Sequence, residues 1–335
     1  PIAFAEVYLA LQPGTVDAQE NPLPTIQAKK FYEVQKYITL TGHINLITGL
    51  ITSAAWVDSL PENLQTILHE EALKAGDIVY ADTPTNPRLQ SLDIYGSTRD
   101  SAQPVVVFIH GGGWAKGDKA GVGTKARWLA DEGWMLVSIN YRLSPAIKHP
   151  AHIEDVAEAV AWVHDNIAAY GGDPERIVVM GHSAGAHLAA LVATDPKRLG
   201  KHGKPLSIID RAILLDGAAY DIPKLLSLRN LPDSSRTTHH NWVGRNEADH
   251  IDASPSLHIK EDRDIPPFLI LHTDRALGTA ECKAMARKMN EAGIPAITVL
   301  CEKETHSSMN KDLGTQGHAP TEAVRLTLEG AYDGD

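Results

Sequence analysis

From about residue 89 onward, short apolar runs alternate with longer stretches of helical periodicity. The runs Val105–Ile109, Met135–Ile139, Ile177–Met180, Ala212–Leu215, Phe268–Leu271 and Ala296–Leu300 are too short and too continuously apolar for half-exposed strands. They predict strands buried on both faces. Between them, residues 153–169, 184–193 and 280–292 carry apolar positions three and four apart and predict helices. Buried strands separated by helices imply an α/β fold: a mostly parallel central sheet with helices on both faces.

Residues 1 to about 80 follow another pattern. Phe4–Leu11 suits a short helix stopped by Pro13-Gly14, and residues 28–37 suit a second. Residues 37–44 and 46–53 are rich in Ile, Leu and Thr and suit strands. A last helix is expected from Pro61 to Ala75, capped by Ser59 and followed by Gly76. Composition shifts at the same place: residues 1–80 hold four Lys and no Arg, whereas all fourteen Arg lie beyond. We therefore expect two parts, an N-terminal α/β segment over residues 1–78 and a catalytic domain over 79–335.

The net charge of −11 disfavours recognition of nucleic acid through charge. No apolar run approaches the ~20 residues of a membrane span. No basic segment precedes an apolar one at the N-terminus, so no signal peptide is visible and a cytoplasmic location is expected. Cys282 and Cys301 are too few for a disulfide framework, and no basic constellation would activate either thiol. No zinc-ligand spacing and no phosphate-binding Gly-rich loop occurs, so neither a metal nor another cofactor is expected.

The sharpest chemical signal is Gly181-His182-Ser183-Ala184-Gly185, between a predicted strand and a predicted helix. A serine on such a tight turn needs small neighbours, and its oxygen stands at a helix N-terminus. Ser183 is the candidate nucleophile. His110-Gly111-Gly112-Gly113-Trp114 closes an earlier strand, and its glycines leave backbone N–H groups free to meet a ligand oxygen. Gly112, Gly113 and Ala184 are the candidate oxyanion donors, with His110 in a structural role.

His306 follows the last predicted strand and is the candidate base. His318 and the pair His239-His240 are rivals that follow no predicted core strand. For the acid, Asp274 lies just past Phe268–Leu271. Asp221, after Leu214-Leu215-Asp216-Gly217, is the alternative. Asp264 stands at the wrong end of its strand, and Glu281 reads as a first-turn helix charge. Trp114, His182, Leu225 and Trp242 are candidates for the substrate pocket.

Residues 89–330 resemble the α/β-hydrolase superfamily, near carboxylesterases of the hormone-sensitive-lipase and bacterial feruloyl-esterase-like groups. The stretch Gly181-His182-Ser183-Ala184-Gly185-Ala186-His187-Leu188 is also similar to kynurenine formamidases. Lipase-like members often carry Asp where this chain has His182, which favours the feruloyl-esterase and formamidase branch. The resemblance implies Ser183 as nucleophile, His306 as base, Asp274 as acid, and oxyanion donors at Gly112, Gly113 and Ala184. The implied substrate is a small carboxylic ester, of a short acyl chain or an aryl group, with an aryl formamide as the alternative.

Residues 1–78 resemble the C-terminal part of periplasmic solute-binding proteins of TRAP transporters. The stretches Pro1–Tyr8, Val16–Thr25, Lys30–Tyr37 and Thr41-Gly42-His43 carry that likeness. The arginine that grips a carboxylate in that family belongs to an upstream portion this segment lacks, so a working solute site is not implied. We expect an in-frame fusion, as in a cloned environmental DNA fragment. Its apolar positions Leu46, Ile47, Leu50 and Ile51 would then pack on the hydrolase as a cap or pair two copies in a homodimer.

Overall fold

The computed structural model describes residues 6–16, 30–34, 74–96 and 101–330. The chain divides into two compact units, Pro1–Leu60 and Pro61–Asp335. In the first, the helix Val7–Leu11 ends just before the Pro13-Gly14 turn. Phe31–Glu33 forms one 3₁₀ turn, and the Tyr8 hydroxyl donates to Glu33 Oε2 at 2.9 Å. The strands expected over 37–53 lie outside the described residues. So do the apolar positions expected to form a cap or dimer face, and most of the helix expected over 61–75.

Among its described residues the second unit has eight strands: β1 Lys74–Val79, β2 Ser91–Tyr95, β3 Gln103–Ile109, β4 Met135–Ile139, β5 Gly172–His182, β6 Ile209–Leu215, β7 Phe268–His272 and β8 Ala296–Leu300. Their order in the sheet is β1-β2-β4-β3-β5-β6-β7-β8. From β4 to β8 neighbours run parallel, and β2 is antiparallel to both β1 and β4. The six expected strands are all present. Lys74 and Ala75, expected to finish a helix, begin β1 instead, so the sheet starts before residue 79.

Both additional strands precede the parallel core. β2 is fully buried, yet Ser91 and Asp93 interrupt its apolar pattern. Asp93 is tolerated because Lys119 Nζ donates to its carboxylate and to Asp77, and the Asp77 N–H donates to Asp93 Oδ1 at 2.8 Å. A buried carboxylate survives only with such partners, and those partners are remote in sequence.

Alternate residues of β3 feed different cores. Val105, Val107 and Ile109 pack with the helices Ala151–Asn166 and Ala184–Thr194, while Val106 and Phe108 pack with Lys125–Asp131 and Ala319–Leu328. This alternation follows from the two-residue period of a strand. The sheet is thus covered on both faces, and the loops at the C-terminal ends of β3, β5, β6, β7 and β8 share one edge. That edge is where open α/β sheets place their sites.

Candidate active site

Ser183 sits between β5 and the helix Ala184–Thr194, with φ +57° and ψ −117°. This left-handed backbone is costly for a residue with a side chain. It is held by the Ser183 N–H, which donates to the Leu215 carbonyl at 3.0 Å. The turn can be this tight because of Gly185, where a Cβ would stand 2.0 Å from the Ile109 carbonyl oxygen. The helix therefore packs directly against the end of β3, and any side chain at 185 would push them apart.

The same packing brings the glycine loop to the serine. A Cβ on Gly111 would lie 3.1 Å from Ser183 Cβ. Gly112 and Gly113 follow with positive φ. Among the described residues, the N–H groups of Gly112, Gly113 and Ala184 donate to no backbone carbonyl. His110 is buried beneath the loop. Its ring stacks on Tyr141 at 4.5 Å, and its Nδ1–H donates to the Gly111 carbonyl at 2.8 Å. Burial lowers its pKa, so it is a neutral brace.

His306 lies in the loop after β8, with Nε2 3.0 Å from Ser183 Oγ and Nδ1 2.6 Å from Asp216 Oδ2. A carboxylate only accepts, so Nδ1 carries the ring proton and Nε2 accepts from the serine hydroxyl. The side chain of Asp216 is fully buried. Burial alone would raise its pKa, but His306, the Thr273 N–H and Arg275 hold it well below the usual carboxylate range.

The carboxylate facing His306 is therefore Asp216, at the end of β6, and not the expected Asp274. Asp274 is exposed. Only three residues separate β7 from the helix Ala276–Glu291. Thr273 and Arg275 from that short loop instead bind Asp216. The alternative, Asp221, accepts from the Lys224 N–H at 3.1 Å and caps the helix Ile222–Ser227. Asp216 was present in the Leu-Leu-Asp-Gly stretch. The available signal was its place at a strand's C-terminal end, next to the strand that carries the serine.

The rival histidines lie elsewhere. His318 Nε2 is 3.1 Å from Glu304, and His239 accepts from the Trp242 indole at 3.1 Å. Glu281 is half-buried, not a surface helix charge. It accepts from the Ala219 N–H at 2.8 Å, and burial raises its pKa to about 7. Both thiols are buried, which pushes Cys282 up to about 12 and Cys301 up to about 11.

The expected pocket residues separate. His182 stands behind His306. Its Nε2–H donates to the His306 carbonyl at 2.8 Å, and the rings are 4.6 Å apart. Trp242 is fully buried and stacks on Trp114 at 4.1 Å, so it offers a ligand no surface. Leu225 lines a cavity of about 410 Å³ between the helices Ile222–Ser227 and Ala276–Glu291. Among the described residues, no helix is long and apolar enough to cross a membrane, and no cluster of His, Cys, Asp or Glu could hold a metal.

Trp114 and Trp242 belong to a nest of buried histidines with a consequence for stability. Burial depresses His152 and His187 to about 3, and His182 and His239 to about 4. These side chains stay neutral in the fold but take up protons near pH 6.5 once unfolded. The unfolded state thus binds more protons between these limits, and stability must fall as pH drops below ~6.5. At pH 5 the cost is on the order of 2 kcal/mol per histidine. Urea unfolding at pH 7.5 and pH 5 should show a clearly lower midpoint at pH 5. Equal midpoints would refute it.

Residues 92–289 match the BD-FAE family, which is more than half of the chain. Residues 1–86 match the bacterial extracellular solute-binding proteins of family 7. Esterase LipQ of Mycobacterium tuberculosis is 31% identical over 235 residues, covering 66% of this chain and 54% of LipQ. The probable carboxylic ester hydrolase LipM of the same organism is 36% identical over 209 residues, covering 59% of this chain and 47% of LipM. The chain spans about half the length of these curated relatives. A solved structure described as a truncated carbohydrate esterase from gut microbiota superposes with a TM-score of 0.63 at 22% identity, over 77% of this chain and 95% of that one. At that identity the likeness establishes the fold.

Proposed function

The chain belongs to the BD-FAE family and has the α/β-hydrolase fold, and from this we propose that it is a serine esterase hydrolysing small carboxylic esters. Ser183 is the nucleophile, His306 the base and Asp216 the acid. The observation that carries this reading is the continuous relay from Ser183 Oγ to His306 Nε2 (3.0 Å) and from His306 Nδ1 to Asp216 Oδ2 (2.6 Å).

In this reading Ser183 Oγ attacks the ester carbonyl carbon as its proton passes to His306 Nε2. Asp216 fixes the ring tautomer and stabilises the imidazolium. The negative charge on the former carbonyl oxygen meets the N–H groups of Gly112, Gly113 and Ala184, the last at the start of an eleven-residue helix. Collapse expels the alkoxide, which takes the proton from His306. A water, deprotonated by the same ring, then attacks the acyl-enzyme and returns Ser183. Each proton leaves and re-enters through Nε2, so no cofactor is required.

Esters of short acyl chains and of aryl acids are the proposed substrates. A panel of p-nitrophenyl esters of increasing acyl length, a feruloyl ester and an aryl formamide tests this, alongside fluorophosphonate labelling of Ser183. Turnover of at least one ester, with labelling that blocks it, is expected. Hydrolysis of the formamide alone would overturn the ester assignment, and turnover unaffected by labelling would overturn the nucleophile.

A further inference from the structure

The loop after β7, where the acid was expected, has a different occupation. Thr273 and Arg275 both turn toward Asp216. The Thr273 N–H donates to Asp216 Oδ1 at 3.0 Å, and the Thr273 hydroxyl lies 3.1 Å from each carboxylate oxygen. Arg275 Nη2 donates to the Asp216 main-chain carbonyl at 2.9 Å and forms an ion pair with Asp216 Oδ2 at 2.9 Å. The Arg275 Nε–H also reaches the Thr273 hydroxyl at 3.3 Å.

The double contact matters because of how Asp216 is held. Its φ is +47°, a left-handed backbone that a residue with a Cβ adopts only under constraint. The Asp216 N–H donates to the Leu271 carbonyl at 2.8 Å, which fixes the residue on one side. Arg275 fixes its carbonyl and its carboxylate together on the other. Relaxation of φ toward negative values would swing Oδ2 away from His306 and break both arginine contacts.

We propose that Arg275 is a positioning residue, which locks Asp216 in its left-handed backbone with Oδ2 facing His306 Nδ1. Arg275 touches neither the serine nor His306 in any contact above, so it acts through Asp216 alone. The arrangement divides one task between two strand ends. β6 supplies the acid, and the short loop after β7 supplies the donors that aim it. The inference rests on the esterase reading only for its kinetic readout.

The test uses the full chain and the variants Arg275→Ala, Arg275→Lys and Asp216→Asn, assayed on whichever ester the panel identifies. Arg275 is 43% exposed at its side chain, so its removal leaves an open surface site rather than a cavity. Arg275→Ala is expected to lower kcat by about tenfold to a hundredfold, the cost of a small misalignment, with KM within twofold. Millimolar ethylguanidinium should restore part of kcat in Arg275→Ala and leave the parent unchanged. Arg275→Lys should fall between the two.

An activity-independent readout is the far-downfield proton resonance of His306 Nδ1–H. It should be present in the parent, absent in Asp216→Asn, and broadened or shifted in Arg275→Ala. A kcat for Arg275→Ala within twofold of the parent overturns the proposal, as does a lowered kcat with an unaltered resonance. If Arg275→Ala does not fold, Arg275→Lys carries the same comparison, and parent-like kcat and resonance there overturn it. A parent that hydrolyses no ester sinks the proposed function instead, while the resonance still reports on Arg275.

Discussion

Ser183→Ala is expected to lower kcat on a short acyl ester by about a millionfold, toward the background set by the remaining donors. The size of the effect follows from how completely the relay depends on one oxygen. His306 Nε2 has its hydrogen-bond partner in Ser183 Oγ at 3.0 Å. Without that oxygen the base has no proton to take, and no acyl-enzyme can form. Alanine keeps the Cβ that the strained φ of +57° already accommodates, and the N–H to Leu215 bond is unaffected. The fold should therefore be unchanged. A thermal midpoint within about 2 °C of the parent, with loss of both turnover and fluorophosphonate labelling, is the expected result. Substantial retained turnover would show that another group attacks.

What the sequence made legible depended on whether the signal was local. The elbow is a local device. Its glycine at 185 is required by contact with β3, but its spacing from Ser183 is visible in five residues. The buried strands β3 to β7 were legible for a similar reason, since burial on both faces demands apolar residues, whereas β8, expected to be buried on both faces, is a half-buried edge strand with Leu300 exposed. β2 was not legible. Its buried Asp93 is met by Lys119 and the Asp77 N–H, which reach it from other parts of the chain. The serine and histidine follow strands and could be placed by order.

The acid could not be placed by order alone, because two strand ends offered a carboxylate near the right edge. Asp274 and Asp216 differ in what surrounds them, which local sequence does not record. Asp216 is met by donors from Thr273, Arg275 and His306. Asp274 is exposed. The half-buried, hydrogen-bonded state of Glu281 was hidden for the same reason, since its partner Ala219 is 62 residues away. Each of these three misses, at Asp93, Asp216 and Glu281, concerns a polar group whose environment is assembled by tertiary contacts.

The choice between the two aspartates is the second large expected effect. Asp216→Asn should lower kcat by about 10⁴-fold with little change in fold, whereas Asp274→Ala should leave kcat within twofold. Asparagine at 216 keeps the size of the side chain and an oxygen for Thr273. It cannot be a carboxylate facing His306 Nδ1, so the ring loses both its fixed tautomer and the charge that stabilises the imidazolium. An NH₂ group turned toward the ring would reverse the tautomer and put a proton on Nε2, where the serine hydroxyl must be accepted. Arg275 would also lose the buried negative charge opposite its guanidinium. Its side chain is 43% exposed, so water can solvate it and the stability loss should stay modest. Asp274 has none of these partners to lose. Steady-state kinetics on both variants with one ester decide the matter. If Asp274→Ala fell by orders of magnitude while Asp216→Asn stayed active, the strand-β6 assignment would fail, and the relay in solution would run through the loop after β7.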